Sequence, residues 1–243
     1  MKITKNILCL LVMLLSTILV ACGGGGSNSS STAFNVFEAM DDEEFINYCK
    51  THGFDSNNDN ILTLEEAAAV TTINFYDASI NTITSLVGIE YFKGLTSLHC
   101  DSNQLVNLDV SANTELTSLY CYSNQLKALD VSTNTKLTTL FCHANQLTSL
   151  DVSDCTELTS LECFNNQLTI LYARTNIKLT SLGCNNNLFT VLDISDCTGL
   201  KELYCGTSGK SLEVTVWAEF DTVTPTNTLT YYSGYGTVTF KKL

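Results

Sequence analysis

Apolar residues recur along most of the chain with a period of 21 residues. The phrases LHCDSNQL, LYCYSNQL, LFCHANQL, LECFNNQL and LGCNNNLF follow one another at this interval. Within each unit, leucine predominates at positions 1, 4, 11 and 14, cysteine stands at position 6, and valine or isoleucine usually stands at position 16. A fixed period of this kind predicts a tandem array of coils that bury their apolar residues against each other. The regular units are 95–115, 116–136, 137–157, 158–178 and 179–199.

Inward and outward residues alternate at positions 3 to 7 of each unit, which predicts a short strand. Because successive strand residues point to opposite faces, positions 4 and 6 face the core and positions 3, 5 and 7 face solvent. Strands of consecutive coils then pair as a parallel sheet. The second half of each unit, with the pattern LxxLDVSxN, repeats this arrangement and predicts a second extended segment. At position 9 an asparagine is expected to turn inward and bond the backbone at the bend. These asparagines are Asn103, Asn124, Asn145, Asn166 and Asn187.

The pattern LxxLxCxxN, which extends over residues 70–206, resembles the leucine-rich repeat. This resemblance implies a β-rich solenoid of the α/β horseshoe class, in which stacked 21-residue coils form a parallel β-sheet. Residues 35–69 precede the array and are expected to form a helical N-terminal cap. Residues 207–243 leave the repeat but contain two alternating segments, SLEVTVW and GTVTFKK. We therefore expect a β-strand C-terminal cap with Trp217 and Phe240 in its core.

Six cysteines occupy the inward position 6, where a small apolar side chain is required. We expect buried free thiols, because side chains in register on parallel strands reach the dihedral angle of a disulfide with difficulty. A disulfide framework is the alternative in an exported protein. Cys155 and Cys197 replace asparagines of the second half-repeat and are expected to be buried as well. The position-6 residues are Cys100, Cys121, Cys142, Cys163, Cys184 and Cys205.

The N-terminus has the composition of an export signal. Residues 1–21 contain two lysines followed by an apolar run that is too short for a comfortable membrane span, so we expect a lipoprotein signal peptide. The ending LVA before Cys22 resembles the lipobox of bacterial lipoproteins, in which the cysteine is lipidated. An ordinary cleavage site is the alternative. Residues 22–34 are rich in glycine and serine and are expected to be a flexible tether. The expected location is a bacterial outer membrane or cell surface, with membrane contact through the lipid anchor only.

Residues 55–66, DSNNDNILTLEE, closely resemble the calcium-binding loop of an EF-hand. Asn60 stands where glycine is usual, and asparagine is the next best residue for a left-handed backbone. A helix is expected on each side of the loop, the first with a capping box at Asp41 and Glu44. The alternative is a loop that only turns the chain. The resemblance implies a structural Ca²⁺ ion, whose ligands would be Asp55, Asn57, Asp59, the carbonyl oxygen of Ile61, Thr63 and Glu66.

Charge and motif content exclude several classes of function. The chain has 25 acidic and 12 basic residues, for a net charge of −13, so nucleic acid is a poor partner. No CxxC or HxxxH spacing of a zinc site occurs. Cys142 and His143 are neighbours in sequence, but adjacent strand residues face opposite sides of the sheet and cannot share a proton. We therefore expect a protein that is not an enzyme.

Outward positions 5 and 7 vary between units, while the positions needed for folding stay constant. Several of these residues are aromatic and are expected side by side, open to water, as anchors of a protein interface. Cross-strand pairs that only stabilise the sheet are the alternative. On the opposite side, position 15 is mostly aspartate, which we expect to bond nearby turn amides. The proposed binding residues are His99, Asp101, Tyr120, Tyr122, Phe141, His143, Glu162 and Phe164.

The combination of an export signal, a calcium-like loop and a cysteine-bearing repeat resembles the exported leucine-rich repeat lipoproteins of bacteria, of the internalin type. This resemblance implies that the protein binds a protein partner or mediates adhesion at a cell surface. A glycan-binding surface module that uses the exposed aromatic rings is the second hypothesis, and a structural spacer is the third. We expect a monomer.

Overall fold

The computed structural model describes residues 34–76, 80–206, 211–216, 230–233 and 238–242. The expected signal peptide, the lipidation site Cys22 and nearly all of the expected tether lie outside these residues, as does Trp217. In the described part of the chain, no helix is both long enough and apolar enough to cross a membrane.

The N-terminal cap consists of two short helices joined by the calcium-like loop. A 3-10 turn, Val36–Glu38, precedes helix α1, Glu43–Thr51. Helix α2 follows the loop at Leu64–Ala69 and leads directly into the first coil. Among the largest side chains without exposed surface are Phe45 of α1 and two phenylalanines of the first coils, which pack around it with ring centroids 5.8 and 5.9 Å away. The cap therefore closes the apolar end of the array.

Asp42, and not Asp41, is the N-cap residue of helix α1. Its Oδ1 accepts hydrogen bonds from two backbone amides of the first helical turn, at 3.0 and 3.1 Å. Its Oδ2 accepts from the amide and hydroxyl of Thr84 and from the amide of Ser85, at 2.8, 2.9 and 3.2 Å. The expected capping box at Asp41 and Glu44 is therefore wrong. A carboxylate with two separate sets of donors joins the cap to the first coil.

The array is built from short parallel strands, one or two in each coil. The strands of the described residues are β1 Thr72–Asn74, β2 Ser97–His99, β3 Ser118–Tyr120, β4 Thr139–Phe141, β5 Ser149–Asp151, β6 Ser160–Glu162, β7 Ile170–Tyr172, β8 Ser181–Gly183, β9 Val191–Asp193, β10 Glu202–Cys205, β11 Leu212–Val216, β12 Thr230–Ser233 and β13 Val238–Lys242.

The main sheet has the strand order β1-β2-β3-β4-β6-β8-β10-β12. On the other side of the coils, β5 pairs with β7, and β9 pairs with β11, which pairs with β13. In the main sheet Leu119 stands in register with Leu98 and Leu140, and all three are fully buried. The predicted repeat thus sets the register, because a shift of one residue would move every leucine to the solvent side.

A left-handed turn and an asparagine ladder form the bend after each main strand. Asn145 is typical: its Nδ2 donates to the carbonyls of Cys121 and Cys142 at 3.0 and 3.1 Å, and its Oδ1 accepts from the amide of Leu126 at 2.9 Å. The predicted role of the position-9 asparagines is confirmed. The preceding residue has φ between 53° and 55° in five coils, at Ser102, Ser123, Ala144, Asn165 and Asn186.

All nine described cysteines are buried and carry no disulfide. Burial raises the pKa of the Cys142 thiol to about 12, so the thiol stays protonated and unreactive at neutral pH. Cys155 points at the carbonyl oxygens of Val131 and Asn134, at 3.5 and 3.7 Å from its Sγ. Asn134 itself, one coil earlier, donates from its Nδ2 to the equivalent carbonyls of the preceding coil at 3.0 and 2.9 Å. The cysteines thus fill the interior, as their inward positions predict.

The C-terminal strands extend both sides of the solenoid, as expected for a β cap. β12 adds to the main sheet beside β10, and β11 and β13 add to the second side beside β9. Phe240 of β13 is partly buried and packs against the apolar core. These strands cover the last coil, whose apolar edge would otherwise face water.

Candidate functional site

The outward side chains of the main sheet form two columns that run along the solenoid. We call them together the aromatic face. Its position-7 column consists of Tyr76, Asp101, Tyr122, His143 and Phe164, and its position-5 column consists of His99, Tyr120, Phe141 and Glu162. Because strands in a parallel sheet lie about 4.8 Å apart, each residue of a column contacts the next.

The position-7 column contains a continuous stack of three rings. The ring of His143 lies between those of Tyr122 and Phe164, with centroid distances of 4.5 and 4.2 Å and interplanar angles of 7° and 12°. This near-parallel arrangement places the flat face of each ring on its neighbour. Aromatic pairs at such distances contribute about 0.5–1.5 kcal/mol each beyond the area that they bury.

The position-5 column begins with a second stack. His99 lies flat on Tyr120 at 4.1 Å, with an interplanar angle of 13°. Phe141 then meets Tyr120 edge to face at 5.1 Å and 84°. The column ends in a carboxylate, Glu162, so the apolar surface is bounded by charge at this end.

Apart from Tyr76, which is exposed, the rings of the aromatic face are half-buried because they cover one another. The expectation that they are open to water is therefore wrong for these rings. In strands β3 and β4 the two outward residues are partly exposed, while the central leucine is buried. The stacking stabilises the sheet as cross-strand pairs do. It also holds the rings in fixed positions, so that a partner would bind them at little cost in side-chain entropy.

His143 and Glu162 make a weakly polar contact at the edge of the stack. The Nδ1 of His143 lies 3.4 Å from the Oε2 of Glu162. Burial lowers the pKa of His143 and raises the pKa of Glu162, so each group is shifted toward its neutral form.

Asp101 is buried, contrary to the expectation that position 7 is solvent-exposed. Only 1% of its surface is accessible, and within the part of the chain that the structure describes its Oδ2 has no hydrogen-bond partner. Burial raises the pKa of Tyr122 to about 12, with a further contribution from the hydrogen bond of its hydroxyl to the Asp101 carboxylate. Since buried carboxylates are normally fully paired, this side chain is unusual in the array.

On the second side of the coils, the same aspartate-to-amide hydrogen bond recurs over most of the length. The Oδ1 of Asp109, Asp130 and Asp151 accepts from the backbone amide two residues later, at 3.0, 3.0 and 2.9 Å. The prediction that these aspartates bond turn amides is confirmed. The hydrogen bonds from Ser111 and Ser132 lower the pKa values of Asp109 and Asp130 accordingly.

The second side is interrupted between β7 and β9, which belong to separate sheets. A cleft of about 570 Å³ lies there. Ile170 and Val191 stand on its walls, and both are exposed, as is Tyr172. Arg174 lies along the rim and donates from its Nε to Asp196 at 2.8 Å. The cleft has the size and the mainly apolar lining of a small-molecule site.

The backbone of the calcium-like loop has the turns that an EF-hand loop requires. Asn58 and Asn60 have φ of 58° and 66°, so Asn60 supplies the left-handed turn without glycine. Asp55 accepts from the amides of Asp59 and Asn60 at 3.2 and 2.8 Å. Asn57 accepts from the amide of Asp59 at 2.9 Å. These bonds gather the side-chain oxygens at the inside of the loop.

Glu66 is engaged elsewhere. Its Oε2 accepts from the amide and hydroxyl of Thr63 at 3.1 and 2.9 Å, which completes a capping box on α2. Its Oε1 accepts from the amide and hydroxyl of Ser56 at 2.9 and 2.7 Å. These bonds, the one from the Ser56 side chain foremost, lower the pKa of Glu66 to about 2. Within the described ranges no three His, Cys, Asp or Glu side chains are grouped as a metal site. Asp55, Asn57 and Asp59 carry oxygen atoms of the kind that calcium prefers, whereas both carboxylate oxygens of Glu66 are occupied by other hydrogen bonds.

Comparison with known proteins identifies the fold. No protein-family model and no curated protein matches the chain. Among solved structures, internalin C2 from Listeria monocytogenes has a TM-score of 0.55 at 19% sequence identity, and the match covers 86% of this chain and 100% of that one. The leucine-rich repeat domain of APL1B has a TM-score of 0.51 at 18% identity, covering 73% and 59%. The fold is the leucine-rich repeat solenoid.

A third solved structure that is similar to this chain, the functional domain of InlJ from Listeria monocytogenes, includes a cysteine ladder. It is 26% identical to this chain, with a TM-score of 0.44. The match covers 83% of this chain, which spans 61% of the length of the InlJ domain.

In this leucine-rich repeat, sequence reasoning missed Tyr76. The residue is 63% exposed and begins the position-7 column. The pairing of β1 with β2 sets Asn74 opposite His99, so Tyr76, two residues later, stands opposite Asp101. The first coil has an irregular spacing, which hid this residue from the repeat alignment. The dipeptide Phe75-Tyr76 corresponds to Cys100-Asp101 of the next coil, and this match could have assigned Tyr76 to position 7.

Proposed function

We propose that the protein is exported to a bacterial surface, is held there by a lipid on Cys22, and binds a protein partner through the aromatic face. The observation that carries this proposal is the ordered set of half-exposed rings on one face of an otherwise uniform array. Positions 4, 6 and 9 hardly vary, while positions 5 and 7 differ from coil to coil. Variation confined to one face is what a specific interface requires, because the core tolerates no such change.

A binding comparison of matched variants tests the proposal. Immobilised full-length protein is incubated with solubilised proteins and, separately, with a glycan array. The Tyr120→Ala, Phe164→Ala double variant removes exposed ring surface from two coils, and Asp130→Asn on the second side is the control. We expect at least one protein that the wild type and the control retain and that the double variant loses. A protein set that is equally retained by all three, or binding to sugars alone, would contradict the proposal.

The lipid anchor is tested independently of the partner. Cells that express the chain are fed a fatty-acid analogue, and the purified protein is examined for label. We expect label on the wild type and none on Cys22→Ser. Equal labelling of both proteins would remove the anchor from the proposal and leave the binding face intact.

Calcium is proposed as the clamp of the N-terminal cap. Oxygen ligands on a preformed loop suit this hard cation. The loop lies between α1 and α2, and α1 is bonded to the first coil through Asp42. A bound ion would thus stiffen the end of the array next to Tyr76 and Asp101.

Sugar binding is the second candidate function, and the cleft beside Tyr172 favours it. An exposed aromatic ring next to an Arg174–Asp196 ion pair offers a flat apolar surface with polar groups at its rim. A sugar ring has the matching chemistry, with an apolar face and hydroxyl edges. In the glycan array, hits that Tyr172→Ala abolishes and that the Tyr120, Phe164 double variant retains would favour this function over protein binding.

A further inference from the structure

We propose that Asp101, between Tyr76 and Tyr122, receives an arginine side chain of the protein partner. This inference rests on the proposed function, because it names the chemistry that the partner must carry at one end of the aromatic face. It adds a specificity determinant to a surface that the rings alone would leave largely apolar.

The first observation is the unpaired carboxylate oxygen of Asp101. The side chain is 1% exposed, and no donor of the described residues bonds to its Oδ2. No lysine or arginine of the described residues forms an ion pair with it. The ion pairs that these lysines and arginines form lie on the second side and at the surface ladder of Lys136 and Lys178. A buried polar group without a partner destabilises the free protein and gains from a donor that arrives later.

The second observation is the charge of the whole face. None of the residues at positions 3, 5 and 7 of the coils from β1 to β10 is lysine or arginine, whereas three are acidic: Asp101, Glu162 and Glu202. The chain as a whole has a net charge of −13. A cationic partner is therefore attracted over distance and meets no like charge on contact.

The third observation is the position of the two tyrosines. Asp101 stands one coil after Tyr76 and one coil before Tyr122, whose hydroxyl it bonds. Tyr76 is 63% exposed, so its ring is available to a ligand that approaches the carboxylate. A guanidinium is planar, stacks on aromatic rings and donates two parallel hydrogen bonds to a carboxylate. Lysine offers only a point charge and uses neither feature fully.

The partner is a protein with an exposed arginine, and not a small organic cation. The rings from Tyr120 to Phe164 continue the face for three further coils beyond Asp101 on the same side. A free cation would leave that surface uncovered, whereas an extended segment of about four residues, at about 3.4 Å per residue, spans three strand spacings of about 4.8 Å.

The test is a selection of random displayed peptides on full-length protein. It is run in parallel on the wild type, on Asp101→Asn and on the control Asp130→Asn. We expect peptides from the wild type and the control to carry arginine at one fixed place, with apolar residues beyond it. Binding of these peptides to Asp101→Asn should weaken about tenfold or more, as is usual for the loss of a charged hydrogen bond. Arginine should also be absent from the peptides that Asp101→Asn selects.

Melting temperature separates this role from a structural one. Asn has the shape of Asp but no charge, so Asp101→Asn should melt at or above the temperature of the wild type. A clearly lower melting temperature would show that the carboxylate holds the fold, and would overturn the inference. Selected peptides that carry lysine alone, acidic residues or no charge would overturn it as well. Stronger retention of a quaternary ammonium compound than of these peptides would also overturn the inference.

The outcome also separates this inference from the proposed function. If Phe164→Ala abolishes peptide binding and Asp101→Asn leaves it unchanged, the aromatic face binds protein but the arginine assignment is wrong. If Phe164→Ala has no effect on any selected peptide, the proposed function itself fails, and the arginine assignment fails with it.

Discussion

Replacing a buried cysteine by asparagine is expected to have different consequences at two positions of the same solenoid. Cys155 lies where three other coils carry asparagine, and its Sγ already points at the carbonyl oxygens of Val131 and Asn134. An asparagine there has both acceptors in place. Cys142 is equally buried, but its side chain lies in the leucine-lined interior. An asparagine amide at that place finds no partner.

The magnitudes follow from the hydrogen bonds gained and lost. At Cys155→Asn, two new bonds stabilise by about 0.5–1.5 kcal/mol each. They are offset by an unpaired Oδ1, as in Asn113, Asn134 and Asn176, at about 1–3 kcal/mol. The sum is close to zero. At Cys142→Asn, the unpaired amide oxygen and nitrogen cost about 2–6 kcal/mol together, and overpacking costs about 1–3 kcal/mol more.

Urea unfolding of both variants in reductant measures the difference. We expect the midpoint of Cys155→Asn to stay near that of the wild type. That of Cys142→Asn should fall by the equivalent of at least about 3 kcal/mol, a large part of the stability of an ordinary domain. Cys142→Ala is the matched control, since it removes the thiol without adding polar atoms. Equal losses for the two asparagine variants would refute the argument that the second-side thiols occupy asparagine sites.

Three further perturbations test other parts of the molecule. With a dissociation constant of about 10⁻⁴–10⁻³ M, about 10 mM calcium should stabilise chelator-treated protein by about 1.4–2.7 kcal/mol in a melting assay. The double variant Asp55→Asn, Glu66→Gln, which keeps a capping residue on α2, should abolish this gain. An undiminished gain in the variant would contradict the calcium site. Burial raises the pKa of Asp42, but the bonds from Thr84, Phe45 and Ser85 outweigh it and lower the pKa below 3.8. The stabilisation by Asp42 is therefore complete above about pH 4 and lost as the pH falls through the lowered value; urea midpoints of Asp42→Asn should converge on the wild type in acid, and a constant difference refutes this. Ala144→Gly should stabilise by about 0.5 kcal/mol, because it relieves a φ of 54°, whereas the same change at Ala128, which lacks a positive φ, should destabilise; equal shifts in urea midpoint would contradict this reasoning.

The 21-residue period was sufficient to predict the solenoid, because each coil makes the same bonds with the next one. Leu98 and Leu119, for example, are neighbours in space because one coil contains 21 residues. The inward cysteines and the asparagine ladder follow from the same alternation. The same alternation predicts which residues face outward, and the 21-residue period predicts their order in the two columns.

The details that the sequence did not show depend on contacts between unlike elements. Asp42 and Asp41 are adjacent acids, and only the position of the first coil decides which of them caps α1. The burial of Asp101 depends on the neighbouring tyrosines and on an irregular first coil. The cleft beside Tyr172 lies where β7 and β9 do not pair. Periodicity describes what the coils share, and these features arise where they differ.

Hydrogen bonds between coils recur at fixed separations along the sequence, for example 19, 21 and 24 residues at Leu126, Thr138 and Asn145. A stretch of 21 residues can therefore be duplicated or lost, and the cut ends still match the bonds of their new neighbours. The length of the array is free to change by recombination within the gene. The aromatic face does not share this freedom, since loss of coil 137–157 takes Phe141 and His143 with it. Copy-number change can thus exchange one binding surface for another without a new fold.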